Sequence, residues 1–439
     1  MIDRSSGLRL MTAAALCIAA PLPALSAGFA LKEQSVSGQG TSFAGITAGG
    51  NGDASAMFFN PAAMGLAQGH ELVQTFTYIG PHAEPHDLRA TRAAGAGGTP
   101  IAGNADPGDI AQDAVMPAGY AVYAVSPDLR IGISGNGPWG LVTAYPYDWV
   151  GRYHGVRSDL RTYNFTPTVS YRVIPEVILG AGLQVQYVKA KLSAVSDAGL
   201  ALGRPGALDV TSDLKGDDLA FGATAGLIYR PAPGTRFGLS YRSPVFHKLE
   251  GDISFTGVPP TLSRAFPASA AHAKLTTPEV VSFGAYHELS DRWAVMADVQ
   301  WTNWSRFKEL RVSFDDPTLA DSVTEERWND SWFVSAGAAY RVSDRLTLRT
   351  GVAFDRTPMT DEFRTPRIPD ENRYWLSVGA GYQITDSIRI DAAYTHIFVS
   401  DAKLSLTDDL TGPERGRGTL TGRYENHVNL LGVQARFTF

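Results

Sequence analysis

The stretch Arg292-Trp-Ala-Val-Met-Ala-Asp-Val-Gln-Trp301 decides the fold class. Successive side chains of an extended chain point to opposite sides. Trp293, Val295, Ala297, Val299 and Trp301 therefore share one face, and Ala294, Met296, Asp298 and Gln300 share the other. The first face is apolar with tryptophan at both limits, while the second carries a charge and an amide. Leu346, Leu348, Thr350, Val352 and Phe354 oppose Thr347, Arg349, Gly351, Ala353 and Asp355 in the same way. Ile388, Ile390, Ala392 and Tyr394 likewise oppose Arg389, Asp391, Ala393 and Thr395. A soluble β-sandwich also alternates, but its strands average about five or six residues. These segments are longer and end in aromatic residues, which fits strands that cross a bilayer at a tilt with lipid on one side and a polar lumen on the other.

The rest of the chain agrees with a single large β domain. Its 439 residues are 44% hydrophobic and 19% charged, with one cysteine, which excludes both a disordered chain and a disulfide scaffold. A formal charge of −6 spread over the sequence gives no basic surface, so no nucleic-acid partner is expected. Arg4 and Arg9 precede the apolar run Leu10 to Ala20, then come Pro21, Pro23 and the small-residue site Ala24-Leu25-Ser26. This layout predicts a signal peptide over residues 1–26, with the mature chain starting at Ala27 or Gly28. A membrane anchor is the alternative, but the run falls short of the roughly 20 apolar residues a spanning helix needs. Cys17 leaves with the signal, and no second long apolar stretch follows.

Fourteen strands are predicted between residues 70 and 439. Tight turns at Pro127-Asp128, Ile174-Pro175, Pro231 to Gly234, Ser290-Asp291, Ser343-Asp344 and Asp386-Ser387 alternate with seven longer loops. Short turns at one end and long loops at the other are the outer-membrane pattern, with the short ones periplasmic. The expected fold is thus all-β, a 14-stranded antiparallel transmembrane barrel in the outer membrane of a Gram-negative cell. Residues 27–69 behave differently: Gly38, Gly40, Gly45, Gly49, Gly50 and Gly52 interrupt small residues and no period of two survives. This segment is expected to fold inside the barrel as a plug. Its Asn60-Pro61-Ala62 forms a rigid turn, because proline fixes φ and asparagine bonds its own backbone.

Several blocks resemble the FadL family of outer-membrane long-chain fatty acid transporters. They are Ala27-Gly-Phe-Ala-Leu-Lys-Glu-Gln-Ser-Val-Ser-Gly-Gln-Gly40 with Asn60-Pro61-Ala62, Tyr241-Arg-Ser-Pro-Val, Leu275-Thr-Thr-Pro-Glu-Val, Trp301-Thr-Asn-Trp-Ser-Arg-Phe, Leu348-Arg-Thr-Gly-Val-Ala-Phe-Asp, Ile368-Pro-Asp-Glu-Asn-Arg-Tyr-Trp-Leu-Ser377 and Tyr394-Thr-His, in the family's order. The resemblance implies a monomeric barrel plugged by an N-terminal hatch, taking up hydrophobic molecules without an energy source. It implies substrate contacts at Phe29 and Leu31, a hatch element at Asn60, Pro61 and Ala62, and Arg311 as the cation for a carboxylate. It also implies a lateral opening at a kinked third strand. The final strand, Leu431 to Phe439, resembles the signal read by the barrel-assembly machinery.

In the third strand, Asn136, Gly137 and Pro138 remove side-chain packing and a ladder donor, so this is where a break is expected. A ragged outer strand end is the alternative reading. Gly135 to Gly140 formally fits GxGxxG, but proline and tryptophan interrupt it and no helix follows. Two departures from the family leave room for smaller, uncharged cargo such as aromatic hydrocarbons. A second family cation stands here as Ala194, and the loops near 193–216 and 250–270 look short. An open diffusion porin remains the other reading. With no HExxH, no GxSxG and no metal-ligand cluster, no enzyme, cofactor or metal is expected.

Overall fold

The computed structural model describes residues 28–93, 96–407 and 416–439, so the expected signal peptide lies outside the described residues. The barrel consists of β1 (Glu71–Thr91), β2 (Ala114–Ala124), β3 (Leu129–Asn136 continued by Gly140–Ala144), β4 (Arg157–Ile174) and β5 (Val177–Asp197). Next come β6 (Asp209–Ala232), β7 (Thr235–Arg242 and Val245–Thr256), β8 (Ser269–Thr277 and Val280–Glu288) and β9 (Trp293–Thr302 and Glu309–Phe314). The last five are β10 (Ser322–Glu325 and Ser331–Arg341), β11 (Leu346–Asp355), β12 (Arg373–Thr385), β13 (Ile388–Val399 and Ala402–Leu406) and β14 (Thr419–Thr438). All pairings between strands are antiparallel, and β14 returns to pair with β1 from Glu71 opposite Thr438 to Thr91 opposite Thr419. The sheet therefore closes on itself and its first and last strands are paired, as a spanning sheet requires because lipid offers its backbone no hydrogen-bond partner.

The alternation read in the sequence sets which side faces out. Trp293 and Val295 are on the outside with Phe76, Ile131, Val352 and Leu431, while Ala294, Met296 and Asp298 are buried within. Several strands run further toward the long-loop end than the alternation indicates. In β6 the extra length is Asp209 to Gly216, where the outward face turns polar at Asp209, Thr211, Asp213 and Lys215 while Val210 and Leu214 face inward. Alternation is a signature of the lipid contact and fades beyond it.

The N-terminal segment forms short capped turns instead of strands. Helix α1 (Val36–Gln39) starts at Ser35, whose hydroxyl accepts from the Gly38 N–H. Asp53 caps the turn Ala54–Phe58 through the Ser55 N–H, and Asn60 caps Pro61–Leu66 through the Ala62 N–H. Polar caps and a proline at the first helical position are the expected local chemistry of such starts. The segment's contacts reach around the cylinder, which places it within the bore. Val36 N–H donates to Gln434 of β14 at 3.2 Å, and the Ser42 and Ser377 hydroxyls meet at 2.7 Å. Thr47 donates its N–H and hydroxyl to the buried Asp298 carboxylate at 2.9 and 2.8 Å.

Inward glycines let the backbone of this segment touch the wall. Gly180 pairs with Gly226, Gly238 with Gly284, and Gly337 with Gly351 across neighbouring strands. A Cβ on Gly226 would stand 1.9 Å from Asn60 Oδ1, and one on Gly351 would stand 2.1 Å from the Thr41 carbonyl. Overpacking of this kind costs about 1–3 kcal/mol and forces something to shift. Gly226→Val is expected to push Asn60 off the wall while the strands stay paired. Faster proteolysis of residues 28–69 with unchanged heat-modifiable mobility on gels would show this.

Candidate functional site

Two cavities lie in line between the long loops and a break in the wall. The outer one is walled by Leu160, Leu192, Leu214, Leu249 and Leu275, with Phe29 and Phe307 at its inner end. The space between these side chains is about 850 Å³, counting the part open to solvent, within the usual range for a small-molecule site. Five ionisable groups also line it, Asp159, Lys215, His272, Glu326 and Arg367, and each has a polar partner; the buried Glu326 accepts from Trp328 Nε1 at 2.9 Å. Asp159 is held by Arg157 at 3.0 Å and Arg161 at 2.7 Å, His272 meets Asp315 at 3.0 Å, and Lys215 meets Asp252 at 3.4 Å. Arg367 donates to the Arg157 carbonyl and the Ser158 hydroxyl, both at 3.0 Å.

Phe29 is the partition between the two cavities. Its ring lies 4.6 Å from Trp304, 5.7 Å from Trp328, 5.8 Å from Phe307 and 6.0 Å from Trp139, mostly edge to face. Such pairs contribute about 0.5–1.5 kcal/mol each beyond burial. On the other side, Leu31, Lys32, Phe58, Phe59, Pro138 and Trp139 line a second space of about 500 Å³.

The wall beside this inner cavity is incomplete. β3 stops at Asn136 and resumes at Gly140, and β2 pairs with β3 only from Gly119 to Ala124. Between these pieces the backbone turns to the N-terminal segment. Leu31 N–H donates to the Pro138 carbonyl at 2.8 Å, Gly140 N–H to the Phe29 carbonyl at 2.9 Å, and Gln34 Nε2 to the Gly137 carbonyl at 2.8 Å. The outer half of β2, Ala114 to Ala118, keeps its partner on β1 but has none on β3. Isolated bridges from Ala111 to Thr143 and from Asn104 to Trp149 span the seam above.

Residues 16–439 match the family described as "Outer membrane protein transport protein (OMPP1/FadL/TodX)". The chain belongs to this family. It is 34% identical to the 47 kDa outer membrane protein of Pasteurella multocida (strain Pm70), over 90% of this chain and 93% of that one. It is 29% identical to the long-chain fatty acid transport protein of Escherichia coli O6:H1, over 88% and 91% of the two chains. Among solved structures, a Pseudomonas aeruginosa FadL homologue superposes with a TM-score of 0.88 at 26% identity, covering 94% of this chain and all of that one. The P. putida toluene transporter TodX shares the fold, with a TM-score of 0.63 at 17% identity over 88% and 94% of the two chains. The protein is accordingly an outer-membrane β-barrel of a transport family.

The sequence-predicted residues separate into two groups. Phe29 and Leu31 stand at the outer and inner cavities respectively, Pro138 at the break, and Asn60 against β6 and β7. Asn60 Nδ2 donates to the Thr47 carbonyl at 2.7 Å and to the Leu227 carbonyl at 3.1 Å, fastening Pro61 and Ala62 to the wall. Arg311 is elsewhere. Side chains alternate along Glu309–Phe314, so Leu310 and Val312 face the outer cavity and Arg311 faces away, 50% exposed and paired with Glu309 at 2.7 Å and Asp321 at 3.1 Å. The basic side chains at the cavity are Lys215, His272 and Arg367. Sequence reasoning missed Arg367 and the partition residues Trp304 and Trp328, which sit in irregular segments without a period.

One acid in the N-terminal segment is set apart by burial. Glu33 is 1% exposed, and withdrawal from water, helped by Asp355, pushes its carboxyl up to about 7 against a backbone hydrogen bond and the charges of Arg373 and Lys32, which favour the ionised form. A carboxyl whose folded pKa exceeds its unfolded one keeps its proton in the native state. The native fold then binds more protons between pH of about 4.5 and 7, and stability falls as pH rises through that window. The protection of residues 29–40 against hydrogen exchange, measured relative to the intrinsic rate at each pH, is expected to fall from pH 5 to 8, and Glu33→Gln is expected to flatten that fall.

Proposed function

We propose that this barrel carries long-chain fatty acids or similar hydrophobic molecules across the outer membrane passively, with the N-terminal segment as its hatch. The observation that carries this reading is the line of spaces from the apolar outer cavity, past Phe29, to an inner cavity beside the interrupted β3. Water holds apolar chains poorly, and each methylene buried gains about 0.8 kcal/mol. Entry from the outer surface then needs no energy source. On this reading a ligand displaces Phe29, passes Leu31 and leaves sideways between β2 and β3 into the bilayer, so the bore never opens as a water channel. Asn60, Pro61 and Ala62 anchor the hatch while Asn136, Gly137 and Pro138 keep the wall open. The chain acts as a monomer, and its last strand to Phe439 is the part offered to the barrel-assembly machinery.

Uptake of aromatic hydrocarbons by the same path is favoured by one observation. Arg311 is turned away, Lys215 and His272 each meet an acid, and Arg367 is engaged by the Arg157 carbonyl and the Ser158 hydroxyl, so the basic groups at the outer cavity already have polar partners. Cells expressing the protein are to be given labelled oleate and labelled toluene in competition, with the cargo that is taken up identifying the branch. Replacing Asn136, Gly137 and Pro138 with threonine and valine is expected to abolish uptake of that cargo in a barrel that still folds. Undiminished uptake would reject the lateral exit, and a large steady conductance of the native protein in planar bilayers would show an open porin instead.

A further inference from the structure

The short-turn end of the bore holds a third, very different chamber. Its empty space is about 2390 Å³, counting the part open to solvent, and nine arginines line it against four carboxylates, with no lysine or histidine. Among the described residues Arg130, Arg230, Arg236, Arg292 and Arg341 have no carboxylate within ion-pair distance. The lining acids Asp53, Glu288, Asp291 and Asp344 are thus outnumbered. Donors also exceed acceptors: the Nε–H groups of Arg172, Arg236, Arg349 and Arg436 are buried without an acceptor.

Some of these arginines use neutral carbonyls of the N-terminal segment in place of anions. Arg236 donates to the Gly50 carbonyl at 2.7 Å, Arg130 to the Ala67 carbonyl at 3.2 Å, and Arg172 to the Gly65 carbonyl at 3.4 Å. A guanidinium bonds an oxyanion about twice as strongly as a neutral acceptor, and its planar fork matches two oxygens at once. Low-dielectric walls around like charges focus the field and gather counter-ions.

We propose that this periplasmic-end chamber is an oxyanion site that takes phosphate groups, either free in the periplasm or as headgroups of inner-leaflet phospholipid. Nothing in the hydrophobic path requires it, so it stands whichever cargo the barrel carries. Occupancy sets a phosphate in competition with the Gly50, Gly65 and Ala67 carbonyls for the same donors. Residues 50–67 therefore exchange amide hydrogens faster when the site is filled.

The test is calorimetric titration of the full-length mature protein in maltoside detergent with inorganic pyrophosphate. Arg230→Gln, Arg292→Gln and Arg341→Gln are combined in one variant, because these side chains hold no ion pair whose loss would unsettle the barrel. Binding is expected to weaken about tenfold in the variant, and also in the native protein as salt rises from about 0.01 M to about 0.3 M. The salt series needs no variant and decides the matter even if the triple substitution fails to fold. In a second arm, nanodiscs of phosphatidylcholine are compared with nanodiscs containing phosphatidylglycerol. Pyrophosphate binding equal in both supports a free phosphate, and binding blocked by phosphatidylglycerol supports a lipid headgroup. Absence of pyrophosphate binding in detergent and both discs, or binding indifferent to salt and to the three substitutions, would overturn the proposal.

Discussion

A fourteen-strand cylinder is wider than its own inward side chains can fill, and the rest of this structure follows from that constraint. Closing β1 on β14 pairs the first strand with the last but leaves a bore. Here the bore is occupied by about forty residues at the chain's own N-terminus, a segment too rich in glycine and small residues to alternate as a strand. Its backbone must then find partners inside the wall. Capping side chains at Ser35, Asp53 and Asn60 supply some of them, and lumenal groups such as Asp298, Gln434 and Ser377 supply others. The paired inward glycines are the complementary adjustment on the barrel side, where any larger residue would hold the two backbones apart.

The same constraint divides the interior by polarity. Below the partition the wall is charged, and arginines grip carbonyls of the inserted segment. Above it the wall is mostly apolar, and the charged groups among its lining are held by polar partners. A charge buried alone would cost several kcal/mol, so each element is committed either to holding the segment or to meeting an apolar guest. Phe29 sits at that boundary with its ring in the outer cluster and its carbonyl on Gly140.

How much of this could be read from the sequence depends on what left a periodic signal. Alternation in Arg292 to Trp301 placed Asp298 inside and Trp293 outside because lipid imposes a period of two on every spanning residue. Turns announced themselves through Pro127-Asp128 and Ser290-Asp291 for reasons of local backbone chemistry. Asn60 and Pro61 were legible as a rigid turn, although what they fasten was not. Arg311 shows the limit of a matched position: one step along a strand reverses which side a residue faces, and the neighbours Leu310 and Val312 took the cavity side. Arg367, Trp304 and Trp328 come together across chain separations that no local pattern encodes.

The break in β3 and the inserted segment are a single mechanical unit. Residues Gly137 to Gly140 give up ladder partners on β2, and a buried backbone group left unpaired costs about 1–3 kcal/mol. The bonds from Leu31 and Gln34 to Pro138 and Gly137, and from Gly140 to Phe29, replace part of what was lost. The wall is therefore held in its interrupted form by the same few residues that separate the two cavities. Moving Phe29 aside strains the bond to Gly140 before it disturbs any complete strand, whereas the ladder from β4 to β14 and on to β1 is independent of it. On the function proposed above, a hydrophobic guest pressing on the aromatic partition acts first on a seam where the barrel already lacks pairing, and the rest of the cylinder can stay rigid while it does so.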